Sequence, residues 1–169
     1  LNNTKPIANA SPPAGIISKD VITLMAPSKT FNIAGLHGSL ILSENKDYLL
    51  KMEQQFLKQG IGGINVLAYT AMEAAYTHGA EWLSETVSKI EENIEILTDY
   101  VSKHLPKINI MIPQASFLVW IDLRDLGISD IEITERLINK GKLALEPGAK
   151  YGQDGQGFVR MNIGCSKDT

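Results

Sequence analysis

The sequence has a single cysteine, Cys165, among its 169 residues, so no disulfide can form within the chain and a disulfide-stapled scaffold is excluded. A reducing, cytoplasmic setting is the expectation that follows. No apolar stretch reaches the roughly 18 residues a membrane helix needs, and the opening Leu1-Asn2-Asn3-Thr4-Lys5 is not a signal peptide. Positive charge is in short supply as well: 16 Lys+Arg against 19 Asp+Glu leave a net charge of −3. Without a dense Lys/Arg cluster there is no electrostatic footprint for a phosphate backbone or an anionic bilayer, so neither nucleic acid nor membrane is an expected partner. Gly and Pro, at 14 and 7, are too few for a fibrous or low-complexity chain, and 44% hydrophobic with 21% charged residues is ordinary globular usage. His37, His78 and His104 lack metal-ligand spacing with Cys or carboxylates, so no metal site is expected. There is no Gly-x-Ser-x-Gly elbow to support a serine hydrolase.

Hydrophobic periodicity supplies the positive signals. The stretch through Ser11-Pro12-Pro13-Ala14-Gly15 is rich in turn formers and reads as an irregular connector. Residues 21–25 form a short β-branched run that stops at Ala26-Pro27, as a buried strand does before a loop, and residues 39–42 form a second. Tyr48, Leu49, Met52 and Phe56 recur at helical spacing and Gly60 follows as a stop, which predicts a helix over about 43–58. Residues 64–76 are apolar nearly all round, which predicts a helix buried on most sides. The clearest pattern runs from 81 to 105, where Leu83, Val87, Ile90, Ile94, Leu97, Val101 and Leu105 form one apolar stripe on a long helix. A coiled coil is the rival reading, but only about three heptads are present before the pattern turns strand-like, so a packed helix is preferred.

Beyond Pro106, residues 108–112 and 116–123 read as strands. Ser129 with Glu132 three residues later is a capping-box signature ahead of Ile133, Leu137 and Ile138, and Gly141 closes that helix. Residues 143–145 read as a short strand, 147–157 as a glycine-rich loop and 158–163 as a final strand. In that last strand alternation sets Val159, Met161 and Ile163 on one face and Phe158, Arg160 and Asn162 on the other, so Arg160 points away from the apolar side. The order of elements is that of a mixed α/β or α+β protein.

One residue invites chemistry. Lys29 follows a strand and lies in a tight, partly apolar loop, where desolvation or a nearby cation could ready an amine for imine formation; spacing alone fits a loop lysine reaching solvent better. Arg160, read from its strand alone, is a surface strand arginine. The spaced glycines of residues 152–157 neither open a helix nor follow a long strand and read as a turn, not a nucleotide loop. Cys165 reads as a small packed residue.

The run Ala26-Pro27-Ser28-Lys29-Thr30-Phe31-Asn32-Ile33-Ala34-Gly35-Leu36 resembles the cofactor-lysine segment of fold-type I, pyridoxal-phosphate-dependent aminotransferases of class I/II, and more narrowly the cystathionine β-lyase-like, carbon-sulfur lyase branch. Three further segments follow in that family's order: Ala75-Tyr76-Thr77-His78-Gly79-Ala80-Glu81-Trp82-Leu83, Phe117-Leu118-Val119-Trp120-Ile121-Asp122-Leu123-Arg124 and Gly157-Phe158-Val159-Arg160-Met161-Asn162-Ile163-Gly164-Cys165. The resemblance implies that Lys29 holds pyridoxal phosphate through its amine and moves the substrate Cα proton, that Ser28 helps hold the cofactor phosphate, and that Arg160 clamps the substrate α-carboxylate. It implies residues 1–80 as the tail of a large cofactor-binding domain, and residues 81–169 as a long interdomain helix with an incomplete small α/β domain. It also implies a homodimer acting on a small amino acid, either as a carbon-sulfur β-lyase or as an aminotransferase.

Departures from the family pattern shape the expectation. Where many aminotransferases carry a phosphate-binding arginine eight residues beyond the lysine, this chain has His37, which favours a lyase; after Cys165 it has Ser166-Lys167 in place of the family's Pro-Arg. The family's partner for the pyridine nitrogen, its stacking aromatic and its phosphate loop have no counterpart before Lys29. The chain is therefore expected to be the later portion of an enzyme, cut at both ends, and by itself inactive; a non-catalytic fragment that self-associates is the competing class.

Overall fold

A computed structural model of the chain describes residues 14–167, so most of the predicted opening connector lies outside the described residues. Two compact units divide between Leu83 and Ser84. The first contains a short helix α1 (Ala14–Ile17), strands β1 (Thr23–Met25) and β2 (Leu40–Leu42), and helices α2 (Lys46–Lys58) and α3 (Val66–His78). The two strands pair antiparallel, with Leu24 opposite Ile41.

Both helices have side-chain caps. The Asn45 carboxamide accepts from the Asp47 N–H at 3.1 Å ahead of α2, and that of Asn65 accepts from the Ala68 N–H at 2.8 Å ahead of α3. At the far end of α2 the chain turns through Gly60 at φ 67°, while the Gly60 and Ile61 N–H groups donate to the Leu57 and Phe56 carbonyls. That left-handed closure is why a glycine stands there.

Two expectations for this unit are corrected. Residues 21–25 do not form a buried strand: β1 is only Thr23–Met25, and Leu24 is 71% exposed, because a two-stranded ribbon has few neighbours to cover it. Helix α3 is likewise not buried on most sides. Only Ala68 and Met72 are buried, and Val66, at its start, is 74% exposed. The buried stripe is the one that approaches the backbone at Gly38, where a Cβ would lie 2.6 Å from Met72 Sδ and 3.2 Å from Ala68 Cβ.

The long helix α4 (Ala80–His104) leads into the second unit. There β3 (Asn109–Met111), β4 (Leu118–Asp122), α5 (Asp130–Asn139), β5 (Glu146–Pro147) and β6 (Phe158–Asn162) build a four-stranded, wholly antiparallel sheet in the order β3-β4-β6-β5. Alternation sends Val119, Ile121 and Val159 to one face. On that face they join Leu123, Ile133 and Ile163 in a buried cluster, against which Ile90, Ile94 and Leu97 of α4 and Leu137 of α5 pack. Part of the seven-residue stripe thus serves as the helical side of a two-layer core; Val101 is buried too, while Val87 and Leu105 stay exposed.

Three local expectations change in this unit. The capping box is half made: Ser129 Oγ accepts from the Glu132 N–H at 3.3 Å, but the Glu132 carboxylate turns to Arg136, one turn along α5, at 2.6 Å. Residues 143–145 form no strand, because the Leu143 N–H bonds back to the Leu137 carbonyl at 2.9 Å and pairing begins only at Glu146. The glycine-rich stretch 147–157 is not a plain loop. It holds two 3-10 turns, Gly148–Tyr151 and Gln153–Gly155, packed so closely that a Cβ on Gly155 would lie 2.1 Å from the Gly148 carbonyl oxygen. The uneven capping box makes a prediction: Ser129→Ala should cost about 1 kcal/mol of stability, and Glu132→Ala only about 0.3 to 0.5 kcal/mol, both read by urea denaturation of the chain.

Candidate functional site

In the first unit, Ser28 and Lys29 sit on a turn pinned at both ends. Pro27 before them is fully buried. The Phe31 N–H donates to the Pro27 carbonyl at 2.9 Å and the Ile33 N–H to the Ser28 carbonyl at 3.1 Å, while Asn32 takes up φ 54°. Beyond them the Phe31 ring lies edge-on to Tyr76, with centroids 5.8 Å apart, and stacked with Trp82 at 6.2 Å. Gly79 admits this ring, since a Cβ there would come within 2.6 Å of it. The buried Pro27 on one side and the half-buried Phe31 ring on the other thus hold up a short polar crest. Lys29 is exposed on that crest, Ser28 is half-buried, and neither side chain is hydrogen-bonded or ion-paired to another described residue. His37 is exposed at the end of a 3-10 turn with φ 54°.

In the second unit, Arg160 lies on the sheet face opposite the buried cluster, as alternation along β6 predicts. Strand register sets Glu146 on one side of it and Trp120 on the other. Paired residues share a face, so the three form one row across β5, β6 and β4. The Arg160 Nη2 donates to Glu146 Oε2, and the guanidinium carbon stands 5.0 Å from the centre of the Tyr151 ring. Tyr151 in turn meets Trp120 edge-on at 5.4 Å, and its hydroxyl donates to Glu146 Oε2 at 2.7 Å. Lys150 Nζ completes the set on Glu146 Oε1 at 2.5 Å.

The charges on this face follow from those contacts. The hydrogen bonds from Lys150 and then Tyr151 hold the Glu146 carboxyl down from 4.5 to about 2, against burial, with the charges of Arg160 and Lys150 adding to the effect. Burial and the same carboxylate raise Tyr151, so its phenol stays a donor. Two cations surround one anion, which leaves the cluster able to receive a second carboxylate.

Of the residues singled out in the sequence, Ser28 and Lys29 are brought together on one turn, while Arg160 belongs to the other unit. Glu146, Lys150, Tyr151 and Trp120 were not singled out. Alternation through Leu118-Val119-Trp120-Ile121 could have placed Trp120 on the Arg160 face, but only pairing brings Glu146 beside Arg160. Chemically, the first site presents a primary amine and a hydroxyl, neither bonded to another described side chain, a donor set that fits an aldehyde carrying a phosphate. The second presents a planar guanidinium engaged through one nitrogen by the Glu146 carboxylate.

No protein-family model matches the chain. It is 46% identical to cystathionine beta-lyase PatB of Bacillus subtilis (strain 168) over 148 residues, 88% of this chain and 38% of that protein. To protein MalY of Escherichia coli (strain K12) it is 36% identical over 160 residues, 92% of this chain and 40% of that protein. Among solved structures, cystalysin from Treponema denticola, which contains a pyridoxal 5'-phosphate cofactor, superposes with a TM-score of 0.80 at 31% identity, over 87% of this chain and 37% of that one. The chain thus spans about two fifths of the length of the curated relatives it matches. Its mixed helices and sheet are those of part of a fold-type I pyridoxal-phosphate transferase.

The depressed carboxyl of Glu146 carries a pH prediction. Its contribution to stability should be whole above about 4.5 and fade as pH falls toward about 2. Carbon-13 NMR of the Glu146 side-chain carboxyl should show a midpoint well below the ordinary glutamate value of 4.5, and Lys150→Ala should move that midpoint upward.

Proposed function

Because this chain is a relative of the pyridoxal-phosphate-dependent enzymes of the cystathionine β-lyase-like branch, we propose that the protein it represents is a carbon-sulfur β-lyase acting on a sulfur-bearing amino acid. The net reaction removes the Cα proton, releases a thiol from Cβ and, with water, leaves a keto acid and ammonia. Pyridoxal phosphate is the proposed cofactor; when bound, it supplies an electron sink for the negative charge left at Cα. The observation that carries the reading is the Lys29 crest, an amine beside a hydroxyl on an anchored turn, neither bonded to another described side chain, in a chain 46% identical to a cystathionine β-lyase over 148 residues.

Lys29 would hold the cofactor through its amine and, when that amine is free, serve as the base that takes the proton from Cα. Ser28 would donate its hydroxyl to the cofactor phosphate. Arg160 would bind the substrate α-carboxylate, a task for which a planar fork of N–H donors is better suited than a lysine ammonium. His37, in place of the arginine common in aminotransferases, supports the lyase over the transaminase.

A cytoplasmic homodimer is part of the same proposal. The lone cysteine of this chain supports a reducing compartment, and none of the helices among the described residues is long and apolar enough to cross a membrane. Association is supported by the apolar side chains left open on the first unit, such as Leu24, Val66 and Leu67.

In the full-length protein, borohydride reduction with pyridoxal phosphate should attach the cofactor to Lys29, and cystathionine should yield pyruvate. Lys29→Ala should lower kcat by at least about a hundredfold. An adduct on a different lysine would overturn the assignment of Lys29, and keto-acid exchange without pyruvate release would make the protein an aminotransferase.

A further inference from the structure

Arg160 is not a free guanidinium waiting in solvent. Its side chain is 27% exposed and that of Glu146 26%, and the two are register partners on adjacent strands. Glu146 takes one of the three guanidinium nitrogens, Nη2, and the Tyr151 ring stands off its carbon. Each of these groups is fixed by something else. Glu146 is tied to Lys150 and to the Tyr151 hydroxyl, the Tyr151 ring rests against Trp120, and the backbone of the 3-10 turn bearing Lys150 and Tyr151 is wedged against Gly155. An arginine has four rotatable bonds and much rotamer entropy, so a clamp built from it works best when its plane is set beforehand.

We propose that Glu146, held by Lys150 and Tyr151, is a positioning residue that sets the plane of the Arg160 guanidinium for the substrate α-carboxylate. The proposal deepens, and rests on, the reading of Arg160 as that clamp. Glu146 engages one nitrogen and leaves the others with N–H groups to offer. Its single negative charge is outnumbered by Lys150 and Arg160, so the row still attracts a further carboxylate. A carboxylate placed to block the clamp would need to occupy the whole fork; this one holds a single amino group from the neighbouring strand. Tyr151 contributes twice, as a donor that steadies Glu146 and as an aromatic surface beside the guanidinium.

The test uses the full-length enzyme loaded with cofactor and two competitive inhibitors, glycine and methylamine, which share an amine and differ by the α-carboxylate. Glu146→Gln keeps the size of the side chain and removes its charge. It should weaken glycine on the order of tenfold, leave methylamine unchanged and raise the KM for cystathionine more than it lowers kcat. Glu146→Asp should recover part of the loss. Tyr151→Phe, which keeps the ring and removes the donor, should give the same pattern at smaller size and replaces Glu146→Gln as the test if that variant does not fold. In the Arg160→Lys background, Glu146→Gln should add nothing, because its effect passes through the guanidinium.

Equal weakening of glycine and methylamine would reduce Glu146 to a structural role, and tighter glycine binding in Glu146→Gln would make it a competitor for the clamp; either overturns the proposal while Arg160 stands. If Arg160→Lys itself leaves glycine binding unchanged, the reading of Arg160 falls, and the role of Glu146 falls with it.

Discussion

Burial of one face of the antiparallel sheet against two helices is the constraint on which the second unit depends. Val119, Ile121 and Val159 project from β4 and β6 toward Ile90, Ile94 and Leu97 of α4 and Ile133 and Leu137 of α5. A strand alternates its side chains, so committing these residues to the core commits their neighbours to the other face. Leu118 and Trp120 on β4, and Phe158 and Arg160 on β6, are presented there without any separate device. A register slip of one residue would put Arg160 into the apolar layer at the large cost of an unpaired buried charge. The hydrophobic core therefore sets where Arg160 stands.

Electrostatics then works on a surface that packing has already arranged. Glu146 at the end of β5 meets Arg160 in register, and the turn beginning at Gly148 returns Lys150 and Tyr151 to the same carboxylate. Exposed ion pairs contribute little to stability one by one. A carboxylate held by three donors on a sheet edge instead has geometric consequences: it limits the orientations open to the arginine that shares it. The Lys29 turn follows another principle. The side chains of Ser28 and Lys29 make no hydrogen bond or ion pair with other described residues, and their backbone is fixed by the buried Pro27 and the ring contacts of Phe31.

Much of this was readable along the chain because its signals are local. The long stripe from Leu83 to Leu105, the Ser129 cap and the alternation around Arg160 each rest on neighbours within a few residues, and each has its counterpart in the structure. The readings that failed were those that turned composition into burial. The apolar segment of α3 looked like a core helix, yet only the stripe of Ala68 and Met72, which the backbone approaches at Gly38, is buried. The Leu143 run looked like a strand, but a return hydrogen bond to Leu137 takes its first amide. For the candidate site, the motif around Lys29 and the strand around Arg160 were legible, whereas the partners of Arg160 were not, because no periodicity links residue 146 to residue 160.

Order, period and chemical type lie in the sequence: where helices and strands occur, which face of β6 is apolar, and that an amine and a guanidinium stand in motifs shared with pyridoxal-phosphate enzymes. These depend on contacts that a stretch of chain makes with itself. Folding in space added what depends on distant residues meeting: the strand order β3-β4-β6-β5, the row of Glu146, Arg160 and Trp120, and the anchoring of the Lys29 turn by Tyr76 and Trp82. Pairing between strands is a choice among registers, and that choice is made by the energy of the whole buried face, to which no single segment holds the key.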